Sequence, residues 1–313
     1  MINRLEFLSS NKCEWLSEYT DSIFEKHNIV GAFNPSFDLG SGVLSFRGLE
    51  DNVMSSYVYV NSSIFNLSKD LSGKLGCKQL IDPKVFTIKD ETYVTFNSGY
   101  VKGGNELYVI KVFPEIGNPK KIIYKGRKDQ ERNWAFFFND GEMYALYWIN
   151  PMKILKLDSK TESTWTFVDY FSDVDNNLPF DITIGTQLES FQNKYYFVGH
   201  RKVIRDKKKI YLGKIGVFDF INKSVDYEGY WVSHSLDSLY GEEPKSNKNL
   251  LSCTYFSGIQ RVKEGFILGY GINDLKCGFS TKNIILDKSD YSPARILPSN
   301  ITREGKKNER KRR

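Results

Sequence analysis

The stretch IDPKVFTIKDETYVTFNSG, residues 81–99, decides the fold. It opens on polar and small residues, turns apolar over Val85–Ile88, breaks at Lys89-Asp90-Glu91 and returns through alternating Tyr, Val and Phe. Two short runs of period two around a polar turn read as a β-hairpin, because alternate side chains keep one face for a core. The pattern recurs as FNPSFDLGSGVLSFRG (33–48), NWAFFFNDGEMYALYWI (133–149), IGTQLESFQNKYYFVGH (184–200) and SCTYFSGIQRVKEGFILGYGIND (252–274). Five copies imply five units.

The steps Asn34 to Asp82, Asp82 to Asn133 and Asn133 to Gly185 are 48, 51 and 52 residues, and Gly185 to Cys253 is 68. Repeats of roughly 40 to 50 residues are the mark of propeller blades. The long last step carries the polar insertion SHSLDSLYGEEPKSNKN. Turns fall at Gly40–Gly42, Lys89–Glu91, Asn139–Gly141, Gln192–Lys194 and Lys263–Gly265, and ELYVIKVF, MKILKLD, STWTFVDYF, KKIYLGKIGVFDF and KNIILD supply further strands. Helical spacing is confined to residues 13–27. The expected architecture is therefore all-β: a five-bladed β-propeller of four-stranded antiparallel blades with a short N-terminal helical segment. Its divisions are a partly helical extension over 1–30, the propeller over 31–300 and a basic, disordered tail over 301–313.

Composition agrees, with 313 residues, 40% hydrophobic and 15% aromatic. The net charge of +6 is concentrated at the C-terminus, where 303–313 holds seven basic and two acidic residues, leaving +1 for the rest. That balance argues against a nucleic-acid partner and leaves the tail a weak contact with an anionic membrane surface. No run is long and apolar enough for a membrane span, and the N-terminus does not read as a signal peptide, so a cytoplasmic location is expected. Cys13, Cys77, Cys253 and Cys277 lie far apart with no metal-ligand spacing, so buried thiols are expected and neither a metal nor another cofactor is called for. No phosphate-binding glycine loop, HExxH or GxSxG is present.

First strands of propeller blades line a central channel, so the residues opening each copy are candidates to converge: Asn34, Asp82, Asn133 with Glu131, Arg132 and Trp134, Thr186 with Gln187, and Cys253 with Thr254. Ends of the second strands add Arg47, Asn97 with Ser98, Tyr147, His200 and Asp274. Carboxylates, amides and rings together suit a sugar, whose hydroxyls need paired donors and acceptors and whose C–H face packs on aromatic rings.

The series NPSF with LSFRG, IDPKVF, the NW element, IGTQ with YYFVGH, and YFSG with GYGIND resembles the five-bladed propeller family of β-mannoside phosphorylases and related mannosyltransferases, and more loosely the wider propeller glycosidases. It covers about residues 33–275. The resemblance implies that Asp82 is the acid protonating the glycosidic oxygen; Glu131, ahead of the third copy, is the candidate second catalytic carboxylate by its placement alone. Asn34, Arg47, Lys84, Arg132, Asn133, Trp134, Thr186, Gln187, His200 and Asp274 are then substrate-binding. By its own residues Asp82 before Pro83 equally suits a strand-turn cap. Lys84 stands where the family has arginine, and IGTQ lacks the family's double glycine and proline. The expected function is inverting transfer of a mannose-like hexose from a phosphate- or nucleotide-activated donor to a glycan acceptor, or phosphorolysis. The partners would be an oligosaccharide and phosphate or a sugar nucleotide. The alternatives are a propeller-type glycoside hydrolase, with Asp38 or Glu131 activating water, and a non-catalytic glycan-binding propeller.

Overall fold

The computed structural model describes residues 4–50, 53–99, 104–129, 131, 133–173, 181–263 and 265–284. Arg132 and the basic tail lie outside them. Strand β1 (Leu5–Phe7) and helix α1 (Glu14–Lys26) precede a run of antiparallel meanders. The first is β2 (Val30–Asp38), β3 (Val43–Glu50), β4 (Val53–Val60) and β5 (Ser63–Asn66), followed by helix α2 (Leu67–Leu71). The second is β6 (Ile81–Ile88), β7 (Glu91–Asn97), β8 (Leu107–Phe113) and β9 (Lys120–Tyr124); the third is β10 (Ala135–Asn139), β11 (Glu142–Ile149), β12 (Met152–Lys160) and β13 (Thr164–Ser172). In the fourth, β14 (Thr183–Ile184) and β15 (Glu189–Phe191) pair with β16 (Lys194–Arg205), then β17 (Lys208–Asp219) and β18 (Ser224–Tyr227). After β19 (Trp231–Ser233) and helix α3 (Leu236–Tyr240) comes the fifth, β20 (Leu250–Val262), β21 (Gly265–Ile272) and β22 (Lys276–Lys282).

The protein is thus mainly β, in curled sheets. Parallel pairings of β13 with β9 and of β17 with β20 join neighbouring meanders, and β1 pairs in parallel with β19. Among the described residues the hydrophobic core is split into five clusters, each in a seam between successive meanders. Val58, Val94 and Ile110 lie between the first and second, Phe86, Phe136 and Trp165 between the second and third, and Leu146, Phe197 and Leu212 between the third and fourth. Val198, Ile215, Phe256 and Leu268 fill the fourth seam, and Phe46, Ile267 and Phe279 close the fifth back onto the first meander. Helix α1 adds Leu16, Ile23 and Phe24 to that closing seam, a stripe at the three-to-four spacing of one helix face. Burying one such side chain contributes roughly 1.5–3 kcal/mol, so every seam resists opening.

One expected strand is displaced. KNIILD (282–287) is expected as a further strand, but the third strand of the fifth meander is β22, Lys276–Lys282, and only its last residue, Lys282, belongs to that run. The reason is the turn at Asn273 (φ 52°) and Asp274 (φ 56°), which reverses the chain at once. Residues 285–287 of the run are outside the described residues. The cysteines form no disulfide; Cys13 and Cys253 are buried, whereas Cys77 and Cys277 are only partly covered.

Candidate functional site

The site begins with an irregularity repeated in the first strands. Asn34 and Asp82 both have φ 54°, a left-handed conformation that Asn and Asp tolerate better than most residues. The ladder slips there, between Phe33 and Ser36 in the first meander and between Ile81 and Lys84 in the second. An extra residue in one strand is a β-bulge, which re-aims a side chain. Pro35 and Pro83 follow at once, and having no N–H they leave no donor unpaired where the ladder is broken. In the fourth meander the N–H groups of Gly185 and Thr186 both donate to the Val198 carbonyl, at 2.9 and 3.1 Å, a further bulge at the matching place.

These bulges bring most of the expected residues together. Arg47 on β3 lies with its guanidinium 5.1 Å from the Phe33 ring and its Nη1 3.6 Å from Asp82 Oδ1. The Lys84 ammonium donates to Asn133 Oδ1 at 2.7 Å and to the Gly185 carbonyl, tying the second, third and fourth meanders. Tyr255 donates its hydroxyl to Asn133 Oδ1 at 3.4 Å, and its ring lies 4.2 Å from the His200 ring and 5.8 Å from Lys84 Nζ. Asn34 packs against Gly271, where even one methyl group would overlap Asn34 Oδ1. Asn34, Arg47, Asp82, Lys84, Asn133, His200 and Asp274 therefore form one cluster drawn from all five meanders.

Its electrostatics follow from burial. Lys84 is 2% exposed, and loss of hydration brings its ammonium down to about 7, against the opposing pull of Asp82. Burial, then the Lys84 charge, holds His200 well below the usual imidazole range, so it is neutral at pH 7. The Phe256 N–H donates to His200 Nε2 at 2.6 Å, which puts the ring proton on Nδ1. Burial raises the Asp274 carboxyl, Arg47 lowers it and Asp82 raises it again. Among the described residues His200 Nδ1, Asn34 Oδ1 and Arg47 Nε are buried without a hydrogen-bond partner. Buried polar atoms are normally paired, so three orphans in one cluster mark a place for a ligand.

The polar atoms of Glu131, Trp134, Thr186 and Gln187 are held by protein groups, although Glu131 and Trp134 also line the cleft beside the cluster. Glu131 is 4% exposed, and Trp134 Nε1 donates to its Oε2 at 3.1 Å, with Arg127 Nε 3.5 Å away. Its Oε1 accepts from the Lys128 N–H and the Tyr147 hydroxyl, so both oxygens are occupied within the wall. Trp134 is itself core, edge-on to Tyr147 and Phe167. Thr186 Oγ1 accepts the Val198 N–H, and Gln187 spans a seam from the Phe136 N–H to the Trp134 carbonyl. Asp38 accepts from Ser41 and Gln260 at the far end of β2, four residues or roughly 13 Å of strand from Asn34.

Opening from the cluster is a cleft of about 340 Å³ between the third and fourth meanders, lined by His200, Tyr255, Trp148, Tyr211, Asp181 and Lys202 among others. Tyr255, Gly271, Lys202 and Tyr211 were not expected. Tyr255 was within reach of sequence reading, since it lies two residues from Cys253 in the quoted YFSG segment and so shares its strand face.

No family model matches this sequence, and no curated protein does. Solved structures do. A GH130 enzyme, from a study describing glycoside hydrolases of that mannoside phosphorylase family that target β-1,2 mannosidic linkages in Candida mannan, superposes with a TM-score of 0.55 at 13% identity over 86% of this chain and 88% of its own. A glycosyl hydrolase from Bacteroides ovatus gives 0.53 at 12% identity over 86% and 87%. The Bacteroides ovatus xyloglucan PUL GH43B gives 0.50 at 14% identity over 86% of this chain and 55% of that one. At such identities the likeness is one of fold: this chain has the curled-sheet architecture of the β-propeller glycoside hydrolases.

Proposed function

We propose that this protein is a carbohydrate-active enzyme, a five-bladed β-propeller that cleaves glycosidic bonds by hydrolysis. The reading is carried by one observation: carboxylates from the second and fifth meanders, Asp82 and Asp274, share the field of Arg47 beside three unpartnered polar atoms. The propeller glycoside hydrolase fold supports it. Transfer from a phosphate- or nucleotide-activated donor, the first expectation from sequence, has less behind it. Lys84 is spent on Asn133 and Gly185, and His200 is neutral, so neither is an available cation for phosphate.

In this proposal Asp274, its carboxyl raised by burial and by Asp82, holds the proton that passes to the glycosidic oxygen as the bond to the anomeric carbon breaks. Asp82, paired with Arg47, takes a proton from the water whose oxygen bonds to that carbon. One water is consumed and the configuration inverts. Asp82 is thus the base, not the acid that the resemblance implies. Asn34 Oδ1 accepts from a sugar hydroxyl, and His200 Nδ1 and Arg47 Nε donate to others. Glu131 and Lys84 hold the walls.

The experiment is release of reducing sugar from a panel of oligosaccharides without phosphate or nucleotide sugars. Asp82→Asn and Asp274→Asn should each lower turnover by about 10²–10⁴-fold. Turnover that appears only after phosphate is added, saturable sugar binding without any turnover, or an Asp82→Asn protein of full activity would each overturn the reading.

A further inference from the structure

Charge is unevenly placed on this chain. Residues 201–209, RKVIRDKKK, hold six basic side chains and one acidic, whereas the other residues of 1–302 hold 31 basic and 35 acidic. The structure makes this stretch the outer half of the β16–β17 hairpin. Its turn residues Asp206 (φ 50°) and Lys207 (φ 61°) are the left-handed pair of a two-residue type I′ turn. Lys202, Arg205, Lys207 and Lys208 are exposed. Arg205 meets Asp206 at 3.7 Å, but among the described residues no carboxylate lies within ion-pairing distance of Lys202, Lys207 or Lys208.

The register sorts these charges onto two faces. His200, Lys202 and Ile204 alternate onto one, opposite Gly213, Tyr211 and Lys209. Arg201 points to the other, its guanidinium 5.2 Å from the Trp231 ring. The first face belongs to the cleft, because His200, Lys202 and Tyr211 all line it. A basic stripe therefore runs outward from the unpartnered, buried Nδ1 of His200 through Lys202 to Lys209. Asp181 is an exposed carboxylate on the same lining, and the buried Glu131 is already engaged by Arg127, Trp134 and Tyr147.

We propose that the cleft face of this hairpin binds acidic sugar units, so that the substrate is a glycan carrying carboxylate or phosphate substituents, held by Lys202 and Lys209 while its neutral hydroxyls meet the hub. The inference rests on the glycosidase reading and adds the substrate class. A glycan is favoured over a membrane or a nucleic-acid duplex because the stripe ends inside a cleft of about 340 Å³ walled by Trp148, Tyr211 and Tyr255, which neither can enter. Ring faces there suit pyranose stacking, and lysines serve as point charges for either kind of anion.

The test is binding of fluorescent trigalacturonate, a 6-phosphorylated maltotriose and neutral maltotriose to the full chain, at about 25 and about 300 mM NaCl. At least one acidic probe should bind more tightly than maltotriose, with a gap that closes at high salt. The Lys202→Gln/Lys209→Gln variant should lose roughly twofold per lysine, about fourfold together, for the acidic probe alone, while Lys74→Gln, exposed elsewhere, should change nothing. Which acidic probe gains tells carboxylate from phosphate. Equal, salt-independent binding of all three sugars overturns the inference and leaves the glycosidase reading intact. Binding of phosphatidylserine vesicles or a single-stranded oligonucleotide in place of any sugar overturns it as well. Should the glycosidase reading itself fail, the phosphate-free hydrolysis panel reports that separately.

Discussion

Replacing Lys84 by Met tests the electrostatics of the hub directly. Lys84 titrates near 7 when folded and at 10.5 in its ordinary state. Below pH 7 the ammonium is protonated in both the folded and the unfolded chain, and the burial penalty is constant. Between 7 and 10.5 the unfolded chain keeps the proton and the folded chain releases it, so unfolding takes up a proton and stability rises with pH. At about 1.4 kcal/mol per pH unit the wild type should gain roughly 3 kcal/mol between pH 7 and 9.5, a gain the Met variant lacks. At pH 6.5 the variant escapes the buried charge but leaves Asn133 Oδ1 and the Gly185 carbonyl without their donor, so the two proteins should lie closer there. Urea titrations of both proteins over pH 6.5–9.5 measure the difference, with equal m-values as the check that the same surface is exposed. His200 titrates below this window and does not enter it. A difference that stays flat across the range would refute the assignment of Lys84 as a dehydrated, partly neutral amine.

Gly271→Ala should abolish sugar binding while leaving the fold largely intact, because the added methyl overlaps Asn34 Oδ1; retained affinity by calorimetry would show that Asn34 is not a ligand. Gly185→Ala drives a methyl into the Val198 carbonyl oxygen and to 2.8 Å from His200 Cε1, so the bulge and the ring must both move; the imidazole signals in an NMR spectrum should shift, with activity falling by about tenfold or more. Hydrolysis should decline as pH rises through the Asp274 transition. Since Arg47 lowers that carboxyl, Arg47→Met should move the alkaline limb of the pH–rate profile upward, and an unmoved limb would count against Asp274 as the acid. Phe24→Ala, on the α1 face 4.7 Å from the Phe46 ring, should cost about 3–5 kcal/mol in urea unfolding if the helix seals the seam between first and fifth meanders.

Much of this was open to reading from residues alone. The repeat located the hairpins because period-two alternation and turn residues are local properties, and the helix over 13–27 was visible for the same reason, with α1 spanning Glu14–Lys26. The residues that open each copy or end its second strand could be named as a set, and Asn34, Asp82, Asn133 and His200 do lie together. Glu131, Thr186 and Gln187 were named on the same grounds, yet they hold wall and seam. A polar residue at a strand start looks alike in sequence whether its partners are substrate atoms or neighbouring side chains. The hairpin tip at 201–209 escaped notice for a related reason: its charge was averaged into a nearly neutral body, and only the β16–β17 register turns one of its faces to the cleft.

What the sequence determined by itself was the number and spacing of the hairpins, since turns and alternation depend on neighbours a few residues apart. Tertiary structure alone decided which carboxylates share the field of Arg47, which lysine loses its water and which glycine leaves room for Asn34. Those properties depend on residues roughly 35 to 240 positions away in sequence, and solvation and pairing are set there, not along the chain.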